Sequence, residues 1–231
     1  MHIAPFNNKN QAIVDVNNEL VPLTYFNIVK LKAGEQFYYE VSGYETCIVP
    51  ATGTIDVEVA GQTYEAVGNR KVDVWGGEPE AVYVPVGIKA KFTCLTEQTE
   101  VFIAGAKYEK VLEPFDVRVS ELDLVQYGSD DTKTHRKIKH ILGQKQANQV
   151  GRLLVSELFT VGQGGWSGFP SHKHDTNRLP EETHHDETYN FRFKPNYGSG
   201  LQMLQREENK SGDAYHIVNG STVCIDKGYH P

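Results

Sequence analysis

Thr54-Ile55-Asp56-Val57-Glu58-Val59, then Ala60-Gly61-Gln62, then Thr63-Tyr64-Glu65-Ala66-Val67 is the stretch whose pattern decides the fold. Apolar and polar residues alternate with period two in the first part, so one face can be buried while the other stays wet. That is the requirement of a half-buried strand, not of a helix. The Gly-centred triplet suits the positive φ of a tight hairpin turn, and a return strand comes after it. Ala81-Val82-Tyr83-Val84-Pro85, Lys89-Ala90-Lys91-Phe92-Thr93-Cys94 and Glu100-Val101-Phe102-Ile103-Ala104 come next at strand-like spacing. With 21 Gly and 10 Pro for turns, 12 Tyr and 10 Phe for pleated surfaces, and no sustained 3.6 period, the chain is predicted to be all-β, a sandwich or barrel.

Further along, between about residues 109 and 150, the character changes. Ser129-Asp130-Asp131-Thr132-Lys133-Thr134-His135-Arg136-Lys137 is polar and charged, while Ile138, Ile141 and Leu142 punctuate the residues directly after it, as in an ordered connecting segment. Leu153-Leu154-Val155-Ser156-Glu157-Leu158-Phe159-Thr160-Val161 then resumes a strand pattern and opens a second β unit. An internal comparison supports duplication. Glu45-Thr46-Cys47-Ile48-Val49 can be laid over Glu187-Thr188-Tyr189-Asn190-Phe191, and Val82-Tyr83-Val84-Pro85-Val86-Gly87-Ile88-Lys89 over Val223-Cys224-Ile225-Asp226-Lys227-Gly228-Tyr229-His230. The two matches keep their order at nearly equal separation, with Lys89 standing where the second unit has His230.

Composition narrows the function. The 23 Lys and Arg against 30 Asp and Glu leave a formal charge of −7, which argues against a nucleic-acid binder, since phosphate contacts need a basic face. No apolar run approaches the ~18 residues of a membrane span, and no basic-then-apolar leader opens the chain, so a soluble, intracellular (cytoplasmic) protein is expected. Cys47, Cys94 and Cys224 are odd in number, widely spaced and set in apolar runs, so they read as buried side chains and not as a disulfide framework.

Histidine is concentrated where chemistry would sit: eight of nine lie between His135 and His230. His172 and His174, two apart on an extended segment, project from one face and can converge on one ion. Glu187 opens the next strand, and His230 beside a Gly turn offers a third imidazole. Three imidazoles and a carboxylate suit a single divalent ion, zinc or manganese first and iron as the alternative. Glu187 and Tyr189 share a face by the period of two, so Tyr189 is expected to look into the same cavity, with Arg192 on the other side. Adjacent His184 and His185 would point to opposite faces. The tract Asp175-Thr176-Asn177-Arg178-Leu179-Pro180-Glu181-Glu182-Thr183-His184-His185-Asp186 is a polar loop. As a rim over the ion it would place Glu181 or Glu182 as general base and Arg178 to grip an anionic substrate.

Gly-Phe-Pro-Ser-His-Lys-His-Asp (168–175), the Pro-Glu-Glu loop (180–182), Asp-Glu-Thr-Tyr-Asn-Phe-Arg-Phe (186–193) and Gly-Tyr-His-Pro (228–231) resemble the 5-deoxy-glucuronate isomerase family of myo-inositol catabolism, which is related to the 5-keto-4-deoxyuronate isomerases of pectin breakdown. The resemblance runs over most of the chain and includes His-Arg-Lys-Ile-Lys-His-Ile-Leu (135–142). It implies a bicupin, two tandem jelly-roll-like cupin barrels. On this reading residues 1–115 form a barrel without metal ligands, 116–150 connect, and 151–231 form the barrel that holds the metal. It also implies His172, His174, Glu187 and His230 as ligands. Chains of that family run some tens of residues past Gly-Tyr-His-Pro, so the second barrel is expected to lack closing strands, its edges bare or covered by a neighbouring subunit of a homo-oligomer.

The activity implied is an aldose–ketose isomerisation, 5-deoxy-D-glucuronate to 5-dehydro-2-deoxy-D-gluconate. It moves one proton between adjacent carbons and calls for no organic cofactor. The expected roles are the shuttle at Glu182 or Glu181 and the uronate carboxylate at Arg178 or Arg192. The resemblance also admits a 5-keto-4-deoxyuronate isomerase of pectin breakdown, and the same ligands admit an iron centre for dioxygenase chemistry or a sugar-acid-binding module without turnover.

Overall fold

The alternating stretch is the far half of one long strand. The computed structural model describes all residues except Gln163 and Phe169, so Phe169 of the 168–175 motif lies outside the described residues. The first strands are β1 (His2–Ile3), β2 (Ala12–Val14), β3 (Thr24–Lys32), β4 (Gln36–Tyr39) and the 16-residue β5 (Tyr44–Val59). β6 (Gln62–Arg70), β7 (Ala81–Val84), β8 (Ala90–Cys94), β9 (Gln98–Lys107) and β10 (Phe115–Val117) come next. The remainder are β11 (Asp123–Tyr127), β12 (Arg136–Leu142), β13 (Val155–Thr160), β14 (Glu187–Asn190), β15 (Ser199–Leu204), β16 (Asp213–Val218) and β17 (Thr222–Ile225). The described residues contain no α-helix.

β5 serves two layers. Residues 44–52 pair with β9 and β7, whereas residues 53–59 pair with β6 and β8. The inward residues Ile48, Ile55 and Val57 meet Val29, Phe92, Val101 and Ile103 in a core between the layers. The strand changes partners at Gly53, next to shifts of register. Gly53 has φ +77°, and a Cβ there would sit 2.6 Å from the Gln98 carbonyl oxygen. Gly53→Ala combines left-handed strain with a backbone clash and is expected to cost about 2–3 kcal/mol, read as a lower urea midpoint at unchanged slope.

The opposite face of β5 is equally informative. Cys47 and Val49 pack against Ile141, Leu142 and Leu153, so the segment after the first unit is glued to the outside of its sheet. Glu45 lies on that outward face and is fully buried. Its Oε1 accepts the amides of Arg152 (2.5 Å) and Leu153 (2.8 Å), and its Oε2 accepts the Gly151 amide (2.8 Å) and the Tyr83 hydroxyl (2.6 Å). Glu45, matched in the sequence to Glu187, therefore points away from the first unit's own core and clamps the chain that leads to the second.

The connecting segment is itself strand: its β11 and β12 join β13, the first strand after residue 150, in an antiparallel three-stranded sheet, so the expected boundary at 150 runs through a sheet. The run of charges around residue 136 obscures this. Those charges find partners instead of solvent alone, with Lys139 Nζ 2.8 Å from Glu78 and 4.4 Å above the Phe159 ring. Arg70, buried on β6, makes a two-pronged pair with Glu157 on β13 at 2.8 and 2.5 Å. Farther on, β1, β17 and β14 make a small sheet faced by the β15–β16 hairpin, with Leu204, Ile217, Val223 and Ile225 between them. The N-terminal residues thus belong to the sheet that bears Glu187. The Met1 amine donates to the Cys224 carbonyl at 2.7 Å, and the Cys224 amide returns a bond to Met1. All three cysteines are buried and free.

Candidate metal centre

The first two imidazoles come from an extended segment that pairs with the end of the chain. His172 and His230 exchange both backbone hydrogen bonds, at 3.0 and 2.9 Å. This bridge puts their rings 4.7 Å apart by centroid, and the ring of His174 lies 4.8 Å from that of His230. One ring nitrogen from each of the three lies within 4.8 Å of the others. His230 is buried, and its Nδ1 donates to the Gly228 carbonyl at 2.9 Å, which leaves Nε2 with a free lone pair aimed at the cluster in the neutral ring.

β14 supplies the carboxylate because its first residue faces the hairpin side of the small sheet. Glu187 Oε1 lies 3.0 Å from His174 Nε2, Oε2 lies 3.4 Å from His230 Nε2, and the two Nε2 atoms are 3.1 Å apart. Two donors each about 2.1 Å from one ion, at 90–110° to each other, stand about 3.0–3.4 Å apart, so these separations are those of ligands around a shared ion. The residues fit a divalent metal held by imidazole and carboxylate.

The electrostatics of the cluster follow from these contacts. Burial would raise the Glu187 carboxyl, but hydrogen bonds from His174, His230 and Tyr189 outweigh it and hold the group well below the usual carboxylate range. Burial, then the neighbouring His230 and His174, push His172 down toward the neutral form that a ligand needs. The bond to Glu187 raises His174 against the opposing effect of burial. The Tyr189 hydroxyl donates to Glu187, and burial followed by the adjacent negative charge moves it far above its ordinary value, so it stays a donor.

The loop of residues 175–186 distributes its groups differently. Lys173, between His172 and His174, points to the opposite side, where Asp175 and Glu182 meet its ammonium at 2.7 and 3.1 Å. Glu182 is buried, takes the amides of Asp175 (2.8 Å) and Thr176 (3.0 Å), and is 3.2 Å from the Arg178 guanidinium. Bonds from Thr176, Lys173 and those amides, against the effect of desolvation, hold its carboxyl at about 2. Both of its oxygens are committed to the loop. Arg178 is largely exposed and Glu181 is exposed, its amide bonded to the Arg178 carbonyl. Arg192 turns away from the cluster: it pairs with Glu100 at 2.8 Å and stacks on Phe102 in the first unit.

His185 is a neighbour of the cluster that the sequence did not single out. Its ring lies edge-on to His174 at 5.3 Å, whereas His184 turns to Asp186 at 3.4 Å. Their adjacency did signal opposite directions, and only the fold decides which of the two reaches the cluster.

The KduI/IolB family matches residues 2–231. The chain belongs to the KduI/IolB family. Among its relatives, the 5-deoxy-glucuronate isomerase of Geobacillus kaustophilus (strain HTA426) is 29% identical over 227 residues, covering 97% of this chain and 80% of the relative. That of Shouchella clausii (strain KSM-K16) is 31% identical over 222 residues, covering 94% and 79%. An IolB-like protein from Salmonella typhimurium LT2 superposes over the whole chain and 86% of its own, with TM-score 0.89 at 27% identity. An oxalate decarboxylase, at 11% identity and TM-score 0.66 over the whole chain and 72% of its own, shares the cupin-like all-β fold alone.

Proposed function

We propose that this protein is a metal-dependent aldose–ketose isomerase of uronate-type sugars, converting 5-deoxy-D-glucuronate to 5-dehydro-2-deoxy-D-gluconate in myo-inositol catabolism. The observation that carries the reading is the convergence of His174, Glu187 and His230 at ligand-to-ligand spacing, with a His172 ring nitrogen within 4.8 Å of those of the other two imidazoles, in a member of this family. The arrangement is a bicupin, with residues 1–115 and 151–231 as its two barrels, except that β1 pairs with β17 of the second, and the ion in the second. The protein is cytoplasmic, its partner a small sugar acid, and its subunits associate as a homo-oligomer.

His172, His174, Glu187 and His230 hold the ion, which when bound supplies Lewis acidity to stabilise negative charge developing on adjacent oxygens. Tyr189, kept protonated, donates its one hydroxyl hydrogen to Glu187 and so orients that carboxylate. Of the two loop carboxylates, Glu181 takes the shuttle role, because its side chain is exposed while Glu182 is held by four neighbours. Both arginines have a glutamate partner, Glu182 for Arg178 and Glu100 for Arg192, but Arg178 stays largely exposed on the loop and receives the uronate carboxylate, whereas Arg192 is turned toward the first sheet.

The test incubates the purified protein with 5-deoxy-D-glucuronate and follows the sugar by NMR. Turnover is expected to be independent of oxygen, to fall at least about a hundredfold after exhaustive chelation and dialysis, and to return with added manganese or zinc. A rate that requires oxygen would favour the dioxygenase reading. Stoichiometric binding without product would reduce the site to a sugar-acid sensor.

A further inference from the structure

The ligating residues come from separate stretches, and something other than an ion must keep them in register. His172 and His174 lie on one extended segment, and His230 comes just after the Gly228 turn; a chain of polar contacts links the two from behind. Lys173 Nζ bonds Asp175 Oδ1 at 2.7 Å and Glu182 Oε1 at 3.1 Å. Asp175 Oδ2 accepts the Gly228 amide at 3.0 Å, and the carbonyl of that same Gly228 receives the His230 Nδ1 proton at 2.9 Å. Gly228 has φ +101°, and a Cβ there would come within 2.6 Å of the Gln205 carbonyl, so this peptide has little room to shift.

Resting on the metal-centre reading above, we propose that Asp175 is the positioning residue of the centre, anchored by Lys173 and Glu182, and that Glu182 acts through this network instead of as a base. Asp175 holds the amide on one side of the Gly228 Cα, which anchors the turn, the Gly228 carbonyl on the other side fixes the ring plane and tautomer of His230, and the backbone of residues 173–176 carries the same constraint to His174. The carboxylate touches neither ion nor substrate. It sets the angle at which imidazoles from the two stretches meet.

The test measures cobalt(II) binding to chelator-stripped protein by competition with a chromophoric chelator, together with the visible absorption of the bound cobalt. Asp175→Ala is expected to weaken cobalt about 10–100-fold and to alter its absorption bands, while the urea midpoint of the stripped protein stays close to wild type. Asp175→Asn, which keeps an acceptor for the Gly228 amide, is expected to recover most of the affinity. Glu182→Gln is expected to weaken cobalt several-fold and to shift its absorption bands in the same direction as Asp175→Ala, as an anchor of Asp175 should. Should Asp175→Ala fail to fold, Lys173→Met carries the test, with the same direction expected. Wild-type affinity and spectrum in these variants would overturn the inference alone. A wild-type protein that takes up no cobalt would overturn the metal-centre reading and this inference with it.

Discussion

His230→Ala is expected to lower kcat/KM by about a thousandfold or more and to leave the purified protein with little bound metal. His230 is the buried member of the three imidazoles, and its Nε2 stands 3.1 Å from His174 and 3.4 Å from Glu187, so its removal takes away the donor that both neighbours face. The backbone bridge to His172 survives the substitution, because it is made by main-chain atoms. The effect should therefore appear in metal content and rate with the circular dichroism of the sheet unchanged. A loss of that size corresponds to about 4 kcal/mol of transition-state stabilisation. Elemental analysis and turnover of 5-deoxy-D-glucuronate check it together, and a metal-replete, active variant would remove His230 from the centre.

Glu45→Ala is expected to destabilise the fold by about 3–5 kcal/mol, among the largest effects of any single substitution outside the centre. The Glu45 carboxylate receives three consecutive backbone amides and one tyrosine hydroxyl in full burial. Deleting it leaves Gly151, Arg152 and Leu153 with donors that face a cavity, at the point where the chain leaves the first sheet for the second unit. Glu45→Gln keeps the volume but turns an amide NH2 toward donors, and about 2 kcal/mol is expected. Urea unfolding followed by tyrosine and tryptophan fluorescence measures both, and a midpoint equal to wild type would show that water replaces the clamp without penalty.

Local pattern carried a large part of the fold and the centre. The alternation from Thr54 to Val59 appears as the buried and exposed faces of β5, and the turn at Ala60-Gly61 has both residues at positive φ. The pairs His172/His174 and Glu187/Tyr189 needed only the period of a strand to be placed on common faces. The strands β11 and β12 were not legible as such, because the charges of Arg136, Lys137 and Lys139 look like a solvated run. The partners that reward their ordering, Glu78 and Phe159 for Lys139 and Tyr127 for Arg136, come from elsewhere in the chain. The loop carboxylates show the same limit, since exposed Glu181 and enclosed Glu182 are adjacent and chemically alike in the sequence, and only their contacts separate them.

The amino-acid sequence by itself determined an all-β chain and a histidine-rich second half with two imidazoles on one side of an extended segment. Those properties arise from spacing within a few residues and from backbone stereochemistry that every strand shares. The sequence offered His230 as a third imidazole, and the tertiary structure supplied the backbone bridge to His172 that brings it across 56 positions to His174. The tertiary structure alone decided that the first residues of the chain complete the sheet bearing Glu187, and that Glu45 faces outward as a clamp. The reason is that contacts between distant segments depend on which buried faces pack together, and that choice is made by the whole set of apolar surfaces at once.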